Sequence, residues 1–283
     1  MPGMDGTASA ALSASGVGLR VGSGRWLFRD LTLNLMPGEI VRVLGGSGSG
    51  VSSLLAVLAG VREPTRGTVR RRAPAVSFVP QHFPERLPLS PESYLAWVGR
   101  IRGMRSDVRE LRIRQLVRTF ELGVESSQRV DLVTGNREQL ARRVAIMQAL
   151  LDEPSLLVLD DPWNSTDGHL REVLGRQILE LAEAGCLVIY SGFAPALQPT
   201  QYLSLTGGRL RSTEHDPLGE QPSLMRLELT GTGSELTGLA GFVSQQKHPR
   251  GGVVVTVEAG HSDELLARAL QAGWSVRRVE PVQ

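Results

Sequence analysis

The clearest chemistry in this sequence lies between Ile40 and Leu55 (IVRVLGGSGSGVSSLL). An apolar run, Ile40 to Leu44, feeds a glycine-rich turn. A second apolar run with helical character, Ser52 to Val61, follows. A strand, a glycine turn and a helix in that order build a loop whose bare backbone N–H groups converge on an anion. Gly45, Gly48 and Gly50 stand where such a loop needs a tight backbone. Ser52 stands where a hydroxyl would reach a divalent cation, and Ser49 and Ser53 flank the same turn. The pattern GxxxxGK followed by Ser or Thr asks for Lys at position 51, and this chain has Val51. The anion cradle is therefore present without its cation. A second chemical landmark is Leu156 to Leu159, a short apolar run ending in Asp160-Asp161, where a buried strand would present carboxylates at its end.

These residues must be positioned by a sheet. Leu27 to Leu35 contains a stretch of alternating leucine and polar residues, which predicts a strand with one buried face. Gly67 to Arg72, Ala75 to Val79 and Cys186 to Ser191 read as further strands, and Tyr202 to Leu210 as a hairpin around Gly207-Gly208. Ser90-Pro91 predicts a helix start with Pro in the first turn, and Asp107 with Glu110 a capping box. Asn136 to Leu151 and the periodic apolar residues from Leu170 to Leu181 predict two more helices, the latter closed by Gly185. Strands apolar on both faces and separated by helices predict a parallel core sheet, and the alternating strands before them an antiparallel flap.

The expected organisation is a disordered 1–14, a core domain over 15–210 with a helical subdomain at about 82–151, a polar linker over 211–223, and a small α+β domain over 224–283. In that last domain Leu224 to Leu229, Val253 to Val257 and Trp274 to Val279 read as strands and Ser262 to Ala272 as a helix. The 283 residues suffice for one large core and a satellite. Net charge is +2, with 30 Arg against the single Lys247, a coding bias more than a nucleic-acid surface, and no nucleic-acid partner is expected. The single Cys186 lies in an apolar run, so it reads as a core thiol, and the five histidines have no ligand-like spacing. No secretory leader pattern is visible, and the longest apolar run is too short for a membrane span, so a cytoplasmic chain is expected.

In sum these landmarks resemble the nucleotide-binding domain of an ABC transporter. The glycine loop resembles Walker A, Phe78-Val79-Pro80-Gln81 the Q-loop, Leu156 to Pro162 Walker B, and Asn164 to Asp167 the D-loop. Ser191-Gly192-Phe193 lies where the family has its switch histidine. The tail is similar to the small C-terminal domain of drug-exporter-type members. The resemblance implies a P-loop NTPase fold of ABC type, ATP with Mg²⁺ as cofactors, and Gly45, Gly48, Ser49, Gly50, Val51, Ser52 and Ser53 as nucleotide contacts. It implies Ser52, Gln81 and Asp160 around Mg²⁺, with Gln81 and Asp161 in the catalytic positions. It also implies a second ATPase subunit, an intact paralogue or a second copy, and a membrane permease as partners, with the chain at the inner face of the membrane.

The departures from the family pattern are as informative as the matches. Val51 removes an ammonium whose charge-assisted contact is worth about 1.5–3 kcal/mol. Asp161 stands for the family's catalytic Glu, one methylene shorter, as a vestigial general base. Gly192 stands for the switch His and has no side chain to offer a phosphate. Val21 stands near the family's adenine-stacking aromatic position, with Trp26 a possible substitute. The LSGGQ signature aligns with Asn136 to Leu140 or, with a one-turn insertion, with Leu132 to Asn136, and neither register is intact. Phosphoryl transfer depends on positioning and charge stabilisation, which these groups supply. The expectation is a degenerate ATP-binding subunit that binds nucleotide weakly or not at all and acts through assembly. The alternatives are an active ATPase compensated in trans and a non-transport scaffold.

Overall fold

Buried strands flanked by helices are what a run such as Leu156–Leu159, apolar at every position, demands. A computed structural model of the chain shows how they are arranged. It describes all residues except 1–8, 23, 47, 134–136, 164–167, 193, 195–196, 214–223, 232–235, 237–241, 249–250, 259–261 and 282–283. The chain divides into two compact units, Met1–Glu214 and His215–Gln283.

In chain order the first unit runs β1 (Leu12–Val21), β2 (Arg25–Leu35), β3 (Ile40–Leu44), α1 (Val51–Ala59), β4 (Arg66–Arg71), β5 (Val76–Val79), α2 (Pro91–Ile101), α3 (Ser106–Thr119), α4 (Arg137–Ala149), β6 (Leu156–Leu159), α5 (Gly168–Glu183), β7 (Leu187–Tyr190), β8 (Gln201–Thr206) and β9 (Arg209–Thr213). A six-stranded sheet has the order β5-β6-β7-β3-β8-β9. Its strands are parallel up to β8, and β9 returns antiparallel through the turn at Gly207-Gly208. A three-stranded antiparallel sheet, β2-β1-β4, forms the flap.

Side-chain alternation splits the core between the two faces of the parallel sheet. Leu156 and Val158 join α1 and the flap in one cluster. Leu157, Leu159, Val188 and Tyr190 join α4, α5 and the helical subdomain in the other. Trp163 meets Tyr190 edge to face at 5.0 Å, so it packs within its own domain. Ser90 caps α2 by accepting from the Ser93 N–H, with Pro91 at the first turn, as its sequence predicts.

Several sequence expectations are corrected. Residues 9–14 are not disordered: β1 starts at Leu12, pairs with Leu35 and Arg71, and buries Leu12 and Ala14. A Gly/Ala/Ser-rich run hid a strand that is the middle member of the flap, between β2 and β4. The linker does not begin at Arg211, because Arg211 to Thr213 extend β9 opposite Tyr202 to Ser204. The capping box at Asp107 does not form. Arg105 precedes the helix without a side-chain cap, and Asp107 pairs with Arg105 instead. Helix α1 ends at Ala59, not Val61, because Gly60 takes φ 82° and Val61 N–H folds back to the Ala56 carbonyl. The arginines of 100–118 are not all a solvated face. Arg109 is buried, and Arg112 donates to the Leu150 carbonyl from Nε and Nη2 at 3.3 and 2.9 Å.

The second unit is an antiparallel sheet with the order β11-β12-β10-β13, made of β10 (Leu224–Thr230), β11 (Phe242–Lys247), β12 (Val253–Glu258) and β13 (Ser275–Pro281), with α6 (Ser262–Gln271). Leu227, Leu229, Val255, Val257, Leu265 and Ala269 give it a core of its own. Strand β11 is missing from the sequence reading because its Ser-Gln-Gln-Lys stretch lacks the apolar alternation of a half-buried strand.

Candidate nucleotide site

The chemistry-bearing residues come together at the C-terminal ends of β5, β6, β7 and β3, which are adjacent in that order. In open α/β sheets this edge is where ligands bind. The glycine loop leaves β3 there. Gly48 and Gly50 take φ 75° and 99°, left-handed values that a side chain would strain. Gly50 precedes α1 as its N-cap without a side-chain cap, which leaves the first-turn N–H groups of the helix for a ligand. A Cβ at Gly45 would stand 2.5 Å from Ser49 Oγ and 2.7 Å from a Val51 methyl, so those two side chains curl over the bare glycine. Ser49 Oγ is buried there with no hydrogen-bond partner among the described residues. Leu27, from β2, covers Gly50 on its other side.

The carboxylates follow β6. Asp160 is 4% exposed, and one of its oxygens accepts from the Ser191 hydroxyl at 2.9 Å. The same hydroxyl accepts the Asp161 N–H at 2.9 Å, so Ser191 ties the end of β7 to the end of β6. Asp161 has φ 47°, uncommon for a residue with a side chain. Its carboxylate turns onto Gly192. A Cβ at position 192 would fall far inside contact distance of Asp161 Oδ1 and lie 3.2 Å from its Cγ. Burial pushes the Asp161 carboxyl above the ordinary carboxylate range. Arg142 opposes that shift and Asp160 adds to it.

Two arginines complete the site. Arg42 lies on β3, where it is the charged residue in an otherwise apolar run, and donates from Nε to the Gly192 carbonyl at 2.8 Å. Arg142, on α4, is 5% exposed and donates from Nη1 to the Pro80 carbonyl at 2.9 Å and from Nη2 to the Gln81 carbonyl. Burial lowers its pKa, and the charges of Asp161, Glu138 and Asp160 resist that. Gln81 is thus held through its backbone beside the β6 carboxylates, since Asp160 N–H donates to the Val79 carbonyl. Neither arginine figures in the sequence reading. The available signals were a charge inside IVRVL and one on the buried face of α4.

Other sequence candidates fare differently. Trp26 is engaged by Arg20, whose guanidinium lies 4.4 Å from the ring centroid. The D-loop, Asn164 to Asp167, lies outside the described residues, as do Ser47, Phe193 and Thr134 to Asn136 of the signature. Of the signature, Leu132 ends a 3₁₀ turn, and Arg137 and Glu138 open α4. The residues present fit a polyphosphate in part. The glycine backbone, the orphaned Ser49 hydroxyl and Ser52 suit phosphate oxygens, and Asp160 is a hard oxygen donor of the kind Mg²⁺ takes. Among the described residues, no cluster of three His, Cys, Asp or Glu side chains could hold a metal by itself.

Fold and loop together define a P-loop nucleotide-binding protein. The ABC transporter family profile matches residues 28–164. The chain is 31% identical over 206 residues to the aliphatic sulfonates import ATP-binding protein of Pseudomonas syringae pv. tomato, covering 70% of this chain and 84% of that protein. It is 33% identical over 173 residues to the zinc import ATP-binding protein of Halorhodospira halophila, covering 59% and 62%. Against the Fe(3+) ions import ATP-binding protein of Streptomyces coelicolor it is 33% identical over 185 residues, covering 61% of this chain and half of that one. An ATP-binding subunit of an ABC transporter superposes with a TM-score of 0.65 at 21% identity, covering 75% of this chain and 92% of its own. A dimeric ATP-binding cassette in a post-hydrolysis state, bound to ADP and Pi, gives 0.59 at 21% identity over 71% and 97%. The chain belongs to the ATP-binding proteins of ABC transporters.

Proposed function

We propose that this protein is a degenerate member of its family that hydrolyses ATP negligibly by itself. It acts by assembling with a second ATPase subunit, either an intact paralogue or another copy, and with a membrane permease at the inner face of the membrane. Nucleotide binding is weak or absent. Among the described residues, no helix is long and apolar enough to cross a membrane, so membrane association would run through the permease. The observation that carries the reading is the Asp161 carboxylate turned onto Gly192. The group in the general-base position is packed against the backbone where the family has its switch side chain. Val51 supports it, since a methyl lies over Gly45 in a loop whose family carries an ammonium at that residue. We further read residues 224–283 as an accessory domain, a reading that the separate core supports, and as one of the drug-exporter type on sequence resemblance alone.

A turnover assay on the purified chain, with Asp160→Asn as the control for contaminating ATPase, tests the proposal. No turnover above that control is expected. Turnover at rates of 1 s⁻¹ or more, roughly the lower range of ordinary enzymes, and abolished by Asp160→Asn, overturns it. Val51→Lys is expected to tighten ATP binding by about 10- to 100-fold, the worth of one charge-assisted contact, without restoring hydrolysis.

A further inference from the structure

We propose that Arg42 and Arg142 are positioning residues that fix the backbone at Gly192 and at Pro80–Gln81, so that these loops do not respond to nucleotide. The proposal deepens the reading of the chain as an assembly subunit and rests on it. The contacts form a continuous tie across the site. Arg142 reaches from α4 to the two carbonyls that follow β5. Asp160 N–H joins the end of β5 to that of β6, and Ser191 Oγ joins β6 to β7. Arg42 then joins Gly192, two residues past β7, back to β3. Asp161 closes the middle by packing on Gly192.

Burial sets the strength of the tie. A guanidinium as enclosed as that of Arg142 cannot trade its carbonyl partners for water without moving α4. If the loop after β5 swung away, a buried cation would lose two acceptors at once. Each charge-assisted bond of this kind is worth about tenfold or more in an opening equilibrium. The carboxylates of Asp161, Glu138 and Asp160 add attraction that keeps the guanidinium charged in place. Arg42 is half-buried on the central strand, so its bond to Gly192 is anchored on a rigid element. With the Lys position filled by Val51, the loops lack one strong reason to follow a γ-phosphate, and two intramolecular cations hold them instead.

The test is amide hydrogen exchange on the full chain, with and without millimolar MgATP, for wild type, Arg142→Ala and Arg42→Ala. In wild type, the hydrogen-bonded amides of Asp160, Asp161 and Ser191 are expected to be protected to the same degree with and without MgATP. Arg142→Ala is expected to speed exchange at Asp160, whose N–H bonds to the Val79 carbonyl at the root of the released loop, by about tenfold or more, and Arg42→Ala to do so at Ser191, whose N–H bonds to the Leu159 carbonyl. Exchange in β1, far along the chain, should stay unchanged in both, which separates local release from general destabilisation. If Arg142→Ala does not fold, Arg142→Lys keeps the charge without the two-pronged fork and should speed exchange at Asp160 in part. The proposal is overturned if these amides are unprotected in wild type, if MgATP changes their exchange tenfold, or if the arginine variants leave them as they were. ATP turnover measured on the same samples separates the two readings. Turnover with locked loops overturns the proposed function alone, and open loops without turnover overturn the positioning role alone.

Discussion

Gly192→Ala is expected to be costly beyond its size, and the structure says by how much. Gly192 has φ 85°, in the left-handed region, where a side chain costs roughly 1–2 kcal/mol. Its new methyl would also overlap Asp161, whose Cγ and Cα lie 3.2 and 3.3 Å from the added carbon and whose Oδ1 is closer still. The carboxylate is the end of a short side chain on a backbone held by Ser191, so it has little room to give. Relieving such an overlap costs typically about 1–3 kcal/mol, so the total loss is about 2–5 kcal/mol. Urea unfolding of the full chain measures it, provided the core unit's transition is followed by a probe such as Trp163. The diagnostic experiment is the double-mutant cycle with Asp161→Ala. Removing the carboxylate should return the steric part and leave the backbone part, a coupling of about 1–3 kcal/mol. A loss under about 1 kcal/mol for Gly192→Ala, or an equal loss in both backgrounds, refutes the packing argument.

Asp161 should titrate above the ordinary carboxylate value of 3.8, because burial disfavours its ion. The native state then holds this proton more tightly than the unfolded chain. The stability it contributes is complete below 3.8 and lost as pH rises through the folded value. Carboxyl ¹³C titration should show that elevation, and a further rise in Arg142→Ala, where the opposing cation is gone; a fall would refute the assignment. Cys186 is buried with its pKa raised from 9.0 to about 11, so its thiolate fraction at pH 8 is about a hundredfold below that of a free thiol. Disulfide-reagent labelling should be negligible until the chain is unfolded, and prompt labelling of the native protein would contradict the burial. Arg112→Ala removes the donors to Leu150 and should cost about 1.5–3 kcal/mol. By contrast Arg114→Ala, at an exposed position of the same helix, should stay within about 0.5 kcal/mol. Equal effects in chemical denaturation would show that the two arginines share one solvated face after all.

Much of the parallel sheet was legible because its strands are apolar at every position and its turns carry glycine. Leu156–Leu159 and the Gly207-Gly208 hairpin stand where their patterns put them. Strand β1 was hidden because Leu12, Ala14 and Val17 are spread among Ser and Gly without strict alternation, and so many small residues give little hydropathy signal. The glycine loop and the two aspartates could be read from spacing alone. Their mutual arrangement could not, because it depends on a positive φ at Asp161 and on arginines brought from β3 and α4. A charge in an apolar strand marks an unusual position in a sequence. Only the fold shows that its partner is a carbonyl 150 residues away.

The nesting of Asp161 against Gly192 also constrains the order in which substitutions at these two positions could accumulate. A histidine introduced first at 192 would meet the carboxylate and destabilise the protein before it could serve any reaction. A change at 161 that shortens or withdraws the side chain would have to come earlier. Packing at this pair, more than the number of substitutions, decides which single variant the fold accepts first.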